Sequence, residues 1–248
     1  MEENNMYLYE VEQILAPFSP EICEGEEGNI PFRLYVPEGA PENLPVLLFM
    51  HGAGERGDDN HIQLINALGA FAKNNPEAKD SIIIAPQCPA ETQWVNTPWY
   101  EVDYSVDNVA ETWQLKTVIK LLDEVITKYN ADRDRVYVMG ISMGGFGTWD
   151  LLMRHGDIFA AGMPICGGAD PSKAELLRDI PIRTFHGDVD DAVLVQGTRN
   201  IYNAIIAAGG NKIEYKEYAG EGHWVWDMAC SEPGIGAWLY SNRLSDRK

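Results

Sequence analysis

The chain has 248 residues, 45% of them hydrophobic, which is enough to bury a full core in one large α/β domain. Its formal charge of -19 and pI near 4.5, with no cluster of Lys or Arg, argue against nucleic acid as a partner. No run of about 18 apolar residues occurs to span a membrane, and Met1-Glu2-Glu3-Asn4-Asn5 has none of the basic-then-apolar character of a secretory leader, so the cytoplasm is the expected location, with secretion the alternative if a leader has been removed.

The acidity is uneven. Residues 1–45 carry ten Glu and a single Arg, which reads as a solvated, charged edge. Within this stretch Tyr7 to Leu15 and Ile30 to Val36 alternate in the manner of strands. Pro45 to Met50 is a continuous apolar run suited to a central strand, residues 60–74 look helical, and Ser81 to Ala85 is the next strand. A loop rich in Pro, Trp and Gln runs from Pro86 to about Asp103, long enough to suggest a functional role. Asp107 to Tyr129 has helical spacing and leads to the strand Arg135 to Met139, with a helix beginning at about Gly145 and running to His155. Strands at 160–166, 181–186 and 212–218 then alternate with helices near 172–178, 195–208 and 232–243. This alternation predicts an α/β fold with a mostly parallel sheet covered on both faces, in one domain over 1–248: N-terminal strands in 1–45 and the core in 46–248.

Gly140-Ile141-Ser142-Met143-Gly144 joins a predicted strand to a predicted helix, the setting of a nucleophile elbow that presents Ser142 and aims the Met143 amide at the same point. A serine in that position needs a base. Of His51, His61, His155, His186 and His223, only His223 lies in a glycine-bearing loop after the last strand, on the sheet edge where the elbow also lies. The base needs an acid to hold its tautomer, and His186-Gly187-Asp188-Val189-Asp190-Asp191 offers three carboxylates. Asp190 fits the acid position best; Asp188 or Asp191 is the alternative. His51-Gly52-Ala53-Gly54 follows a strand and supplies exposed backbone, so the amide of Ala53, or of Gly54, is expected to join that of Met143 in an oxyanion hole. The same loop lacks G-x-x-x-x-G-K and G-x-G-x-x-G, which weakens a phosphate-binding reading.

Trp94, Trp99 and Tyr100 on the long loop and Trp224 beside His223 are the candidate substrate walls, whereas Trp149 falls on the core face of the helix after Ser142. Glu55 and Arg56 are candidates for an ion pair bracing the oxyanion loop. Cys23, Cys88, Cys166 and Cys230 lack C-x-x-C spacing and read as small core residues, and the Asp188, Asp190, Asp191 cluster lacks the further oxygens of a calcium loop. Neither a metal nor a cofactor is expected.

With these motifs in this order the sequence resembles the α/β-hydrolase superfamily over nearly its whole length. The pairing of Leu-Leu-Phe-Met-His-Gly-Ala-Gly-Glu-Arg-Gly with Gly-Ile-Ser-Met-Gly-Gly is similar to a bacterial group of "predicted peptidase" or esterase D-like carboxylesterases, some of whose relatives act on plant cell-wall esters. The roughly fourteen residues between the strand ending near Cys166 and the one starting near Pro181 are too few for a helical cap, so little or no cap is expected. The resemblance implies an eight-stranded sheet. It also implies Ser142 as nucleophile, His223 as base and then acid, Asp190 as orienting acid, and hydrolysis of short acyl or aryl esters, acetyl or feruloyl, free or carbohydrate-linked. At Leu194 the chain departs from relatives that often carry proline, which concerns loop rigidity rather than chemistry. A serine peptidase of the prolyl-oligopeptidase kind and a non-catalytic binding protein of the same fold are the alternatives.

Overall fold

Val46-Leu47-Leu48-Phe49-Met50 is apolar at every position and all five side chains are buried, because this strand is covered on both faces. Val46, Leu48 and Met50 enter one core with Val136 and Val138; Leu47 and Phe49 enter a second with Tyr137 and Met139. Period-two alternation thus feeds two cores from one strand, each fully buried Leu or Phe contributing roughly 1.5–3 kcal/mol. The first core is closed by helices Trp113–Lys128, Met143–Arg154 and Val195–Ala207, the second by Leu68–Asn74, Trp226–Cys230 and Ile235–Ser241.

The computed structural model describes residues 12–39 and 41–247. Its strands are β1 (Ser19–Glu24), β2 (Asn29–Tyr35), β3 (Val46–Met50), β4 (Ile82–Pro86), β5 (Val136–Ile141), β6 (Ala161–Ile165), β7 (Ile182–Gly187) and β8 (Ile213–Tyr218). They form one sheet in the order β1-β2-β4-β3-β5-β6-β7-β8. β2 is antiparallel to both β1 and β4, and every other pairing is parallel. The parallel strands therefore end together, and the loops after β3, β5, β7 and β8 open on one edge.

Four expected elements differ. Of the strand expected over Tyr7 to Leu15, residues 7–11 lie outside the described ones and 12–15 form a helical turn. The first strand is instead Ser19–Glu24, a sheet edge whose only buried side chain is Cys23. The helix expected over 60–74 begins at Leu68, after a 3-10 turn at Ile62–Leu64 that Asp59 Oδ1 holds by accepting from the amides of His61 and Ile62. The helix expected from Asp107 starts at Trp113, where the Thr112 hydroxyl accepts from Leu115 N, so the long loop extends to residue 112. The terminal helix is two, broken where Gly234 takes φ 75°.

Residues 166–181, between β6 and β7, hold only the 3-10 turn Pro171–Lys173 and the short helix Ala174–Leu177, so no cap is inserted there. No helix among the described residues is long and apolar enough to cross a membrane.

Candidate active site

At the end of β5 the backbone turns sharply, and Ser142 takes φ 54°, ψ −119°. A left-handed φ on a residue with a side chain costs on the order of 1–3 kcal/mol, so the surroundings must enforce it. They do so by contact. A Cβ on Gly144 would lie 2.0 Å from Met50 O, and one on Gly140 would lie 2.4 Å from Gly144 O. Only glycine lets the turn press against β3 this closely. The helix then begins at Met143, whose N–H, as a first helical amide, has no carbonyl partner within the helix.

The loop after β3 comes alongside. A Cβ on Gly52 would be 3.5 Å from Ser142 Cβ, and Ala53 opens a 3-10 turn to Glu55, again leaving a leading amide without an intrahelical acceptor. The expected Glu55–Arg56 pair is not what braces this loop. Arg56 Nε donates to Ala53 O at 2.9 Å and Nη1 to Thr92 O at 3.0 Å, while Glu55 accepts from Asn66. Behind the loop, buried His51 lies with Nδ1 2.6 Å from Gly52 O and accepts from Cys88 N at Nε2 (2.8 Å); Trp94 Nε1 donates to His51 O at 3.1 Å. Burial lowers the His51 pKa to about 4, so the ring serves as a neutral strut.

The loops after β7 and β8 meet opposite. Asp190 Oδ1 accepts from the amides of Ala192 and Val193, both at 2.9 Å, a local turn that leaves Oδ2 free to face inward. Oδ2 is 2.6 Å from His223 Nδ1, and His223 Nε2 is 2.8 Å from Ser142 Oγ. The three side chains chosen from sequence thus lie in one hydrogen-bonded line. Asp188 instead accepts from Gly220 N at 2.6 Å and so ties the β7 loop to the β8 loop, while Asp191 is exposed.

Sequence reasoning missed His186. It is wholly buried, with Nε2 3.1 Å from the same Asp190 Oδ2 and 2.9 Å from Val193 O, and Nδ1 2.8 Å from Thr198 Oγ1. Two acceptors around Nε2 require its proton there. Burial pushes the Asp190 carboxyl up, but the hydrogen bonds from His186, His223 and the Val193 amide outweigh it and hold the group well below the usual carboxylate range. The four-residue spacing from His186 to Asp190 was the available signal, and nothing local shows that the turn would fold the carboxylate back onto the ring.

A cavity of about 300 Å³ covers Ser142 and His223, lined by Ala53, Ile141, Val193, Trp99, Trp224 and Trp226 among others. Of the expected walls, Trp99 and Trp224 line it. Trp94 is wholly buried against the loop that follows β3 and does not, because its indole N–H is committed to His51 O. Tyr100 is exposed and absent from the lining. Trp226, which no motif singled out, lies edge-on to His223 with ring centroids 5.5 Å apart. Cys166, His186 and Asp190 have donor atoms within 4.8 Å of one another, but Asp190 Oδ2 already serves both imidazoles. Burial also drives the Cys166 thiol far up, which disfavours the thiolate a metal would take.

A strained serine on a strand-to-helix turn, facing an imidazole backed by a carboxylate at one edge of this eight-stranded sheet, defines the α/β-hydrolase fold. A family model described as phospholipase/carboxylesterase matches residues 34–231, and the chain belongs to that family. It is 32% identical to a thermostable esterase of solved structure, at a TM-score of 0.83, over 93% of this chain and 64% of that one. It is also 27% identical to poly(3-hydroxyalkanoate) depolymerase C of Paucimonas lemoignei over 57% of this chain and 32% of that protein. To a bifunctional acetylxylan esterase/xylanase of Neocallimastix patriciarum it is 25% identical over 66% of this chain and 22% of that protein. The chain thus spans about a third or less of the length of these two curated relatives.

Proposed function

We propose that the protein is a serine carboxylic-ester hydrolase acting through an acyl-enzyme on short acyl or aryl esters, including those borne by polysaccharides. The observation that carries this reading is the 2.8 Å and 2.6 Å line from Ser142 through His223 to Asp190, opening on an uncapped cleft. Ser142 Oγ attacks the ester carbonyl as its proton passes to His223 Nε2, and Asp190 stabilises the imidazolium that forms. The amides of Ala53 and Met143 receive the negative charge that develops on the carbonyl oxygen, where each such donor contributes a few kcal/mol. Collapse of the tetrahedral species breaks the ester C–O bond and His223 returns the proton to the leaving alcohol. Water then repeats the sequence on the acyl-serine and releases the acid. The apolar, tryptophan-walled cleft suits an aryl or short acyl group. Family membership and relatives named for an acetylxylan ester and a polyester support an ester over a peptide.

The test is hydrolysis of p-nitrophenyl acetate, methyl ferulate and a chromogenic peptide by the native chain and by Ser142→Ala. Ester release is expected from the native chain and a loss of about 10⁴-fold or more in the variant. Serine-dependent release from the peptide alone would replace this reading with the peptidase, and no serine-dependent release with a binding role.

A further inference from the structure

A second and larger hollow, about 800 Å³ and open to solvent, takes no part in the chemistry above. Its volume falls in the range of ligand sites. Gln93 and Asn96 from the long loop, Asn108 before the helix, and half-buried Trp113 at the helix start contribute to its wall. Arg56 also lines it, and the guanidinium carbon lies 5.5 Å from the centroid of the Trp99 ring, which lines the cleft. The stacked Arg56–Trp99 pair is therefore a wall shared by the two spaces.

The two spaces differ in chemistry. The cleft is lined mainly by tryptophans and aliphatic side chains around Ser142, His223 and Glu55, the cavity more by side-chain amides and carboxylates, with Val109 and Trp113 among them. Gln93 Nε2 donates to Asn96 Oδ1 at 3.3 Å, while Asn108 is exposed with its side-chain amide open to solvent. The Arg56 guanidinium is already held by Ala53 O and Thr92 O, so it offers an anion little, and the net charge of -19 opposes one further.

Resting on the ester-hydrolase reading, we propose that this cavity is a subsite for a neutral oligosaccharide: the sugar residues of the alcohol part lie there while the acyl group enters the cleft. Side-chain amide donors and acceptors match the vicinal hydroxyls of a sugar, and Trp113, whose indole rests on Gly28 on one side, adds an apolar group to the lining. Arg56 joins the cavity to the oxyanion loop through Ala53 O, so a chain seated in it bears directly on the wall of the reacting site.

Two measurements test the subsite. The first titrates the Ser142→Ala chain with xylotetraose, followed by tryptophan fluorescence and saturation-transfer NMR. The second compares kcat/KM for a feruloylated arabinoxylan oligosaccharide with that for methyl ferulate, in the native chain and in Gln93→Ala/Asn108→Ala. Saturable xylotetraose binding is expected, with the ratio of the two kcat/KM values falling about tenfold in the double variant, mainly through KM. An unchanged ratio, or no xylotetraose binding, overturns the subsite. Failure of the native chain to hydrolyse methyl ferulate strikes at the ester-hydrolase reading instead, since the xylotetraose titration reads the cavity by itself.

Discussion

The two halves of the site are held in place by different physics. On the β3–β5 side, Ser142 is positioned by backbone in contact with backbone: Gly144 against Met50 O, Gly140 against Gly144 O. On the β7–β8 side, Asp190 and His223 are positioned by hydrogen bonds to polar side chains and loop amides, with two imidazoles converging on one carboxylate oxygen. The proposed nucleophile is thus held sterically and the proposed acid–base pair electrostatically. Damage to the first should appear in folding, damage to the second in turnover and in the response to pH.

Gly144→Ala probes the steric half and carries the largest expected effect. Its methyl carbon would lie 2.0 Å from Met50 O, so the strand and the elbow must separate, at a cost of roughly 4 kcal/mol or more. Urea denaturation measures it, and a loss below about 1 kcal/mol would break the comparison. Asp190→Asn keeps the shape but removes the charge that holds His223 in its working tautomer. Ester turnover is expected to fall about 10³–10⁴-fold with the far-UV circular dichroism spectrum retained.

His186→Leu, which removes the donor to Asp190 Oδ2, is the mildest change, expected to lower turnover about tenfold, as fits the loss of one hydrogen bond to a charged group. It carries a pH signature. Because the folded Asp190 carboxyl is depressed, its contribution to stability is present above the unfolded value of about 3.9 and is lost as pH falls below it. Removing His186 raises the folded value toward the unfolded one. The decline in urea midpoint between about pH 4 and pH 2 should then be shallower in the variant, and an unaltered slope would show that His186 does not govern the carboxylate.

Legibility in the sequence follows burial. β3, β4 and β5 read clearly because strands covered on both faces must be apolar throughout. β1 did not, since Ser-Pro-Glu-Ile-Cys-Glu at the sheet edge buries only Cys23 and leaves no alternation to detect. The alternation at Tyr7 to Leu15 misled for the converse reason: a short apolar-polar pattern also suits one turn of helix, which residues 12–15 adopt. Ser142, Asp190 and His223 were legible because each sits just after a strand, where parallel topology alone brings them to a common edge. His186 and Trp226 were not, because their contacts depend on how two loops fold over each other. Trp94 and Tyr100 show the limit of reading aromatic residues in a loop, one turning inward to support His51 and the other outward to water.

The short connection between β6 and β7 has a kinetic meaning. On the ester-hydrolase reading, with no inserted domain there, nothing from that side has to swing open before an ester reaches Ser142 or close before it reacts. Encounter is then docking onto a surface already in its working shape, which spends no binding energy on rearranging a lid. What such a surface gives up is enclosure: on the same reading, water would reach an acyl-serine from the side the substrate came from, so the second half of the cycle would need no separate route for its nucleophile.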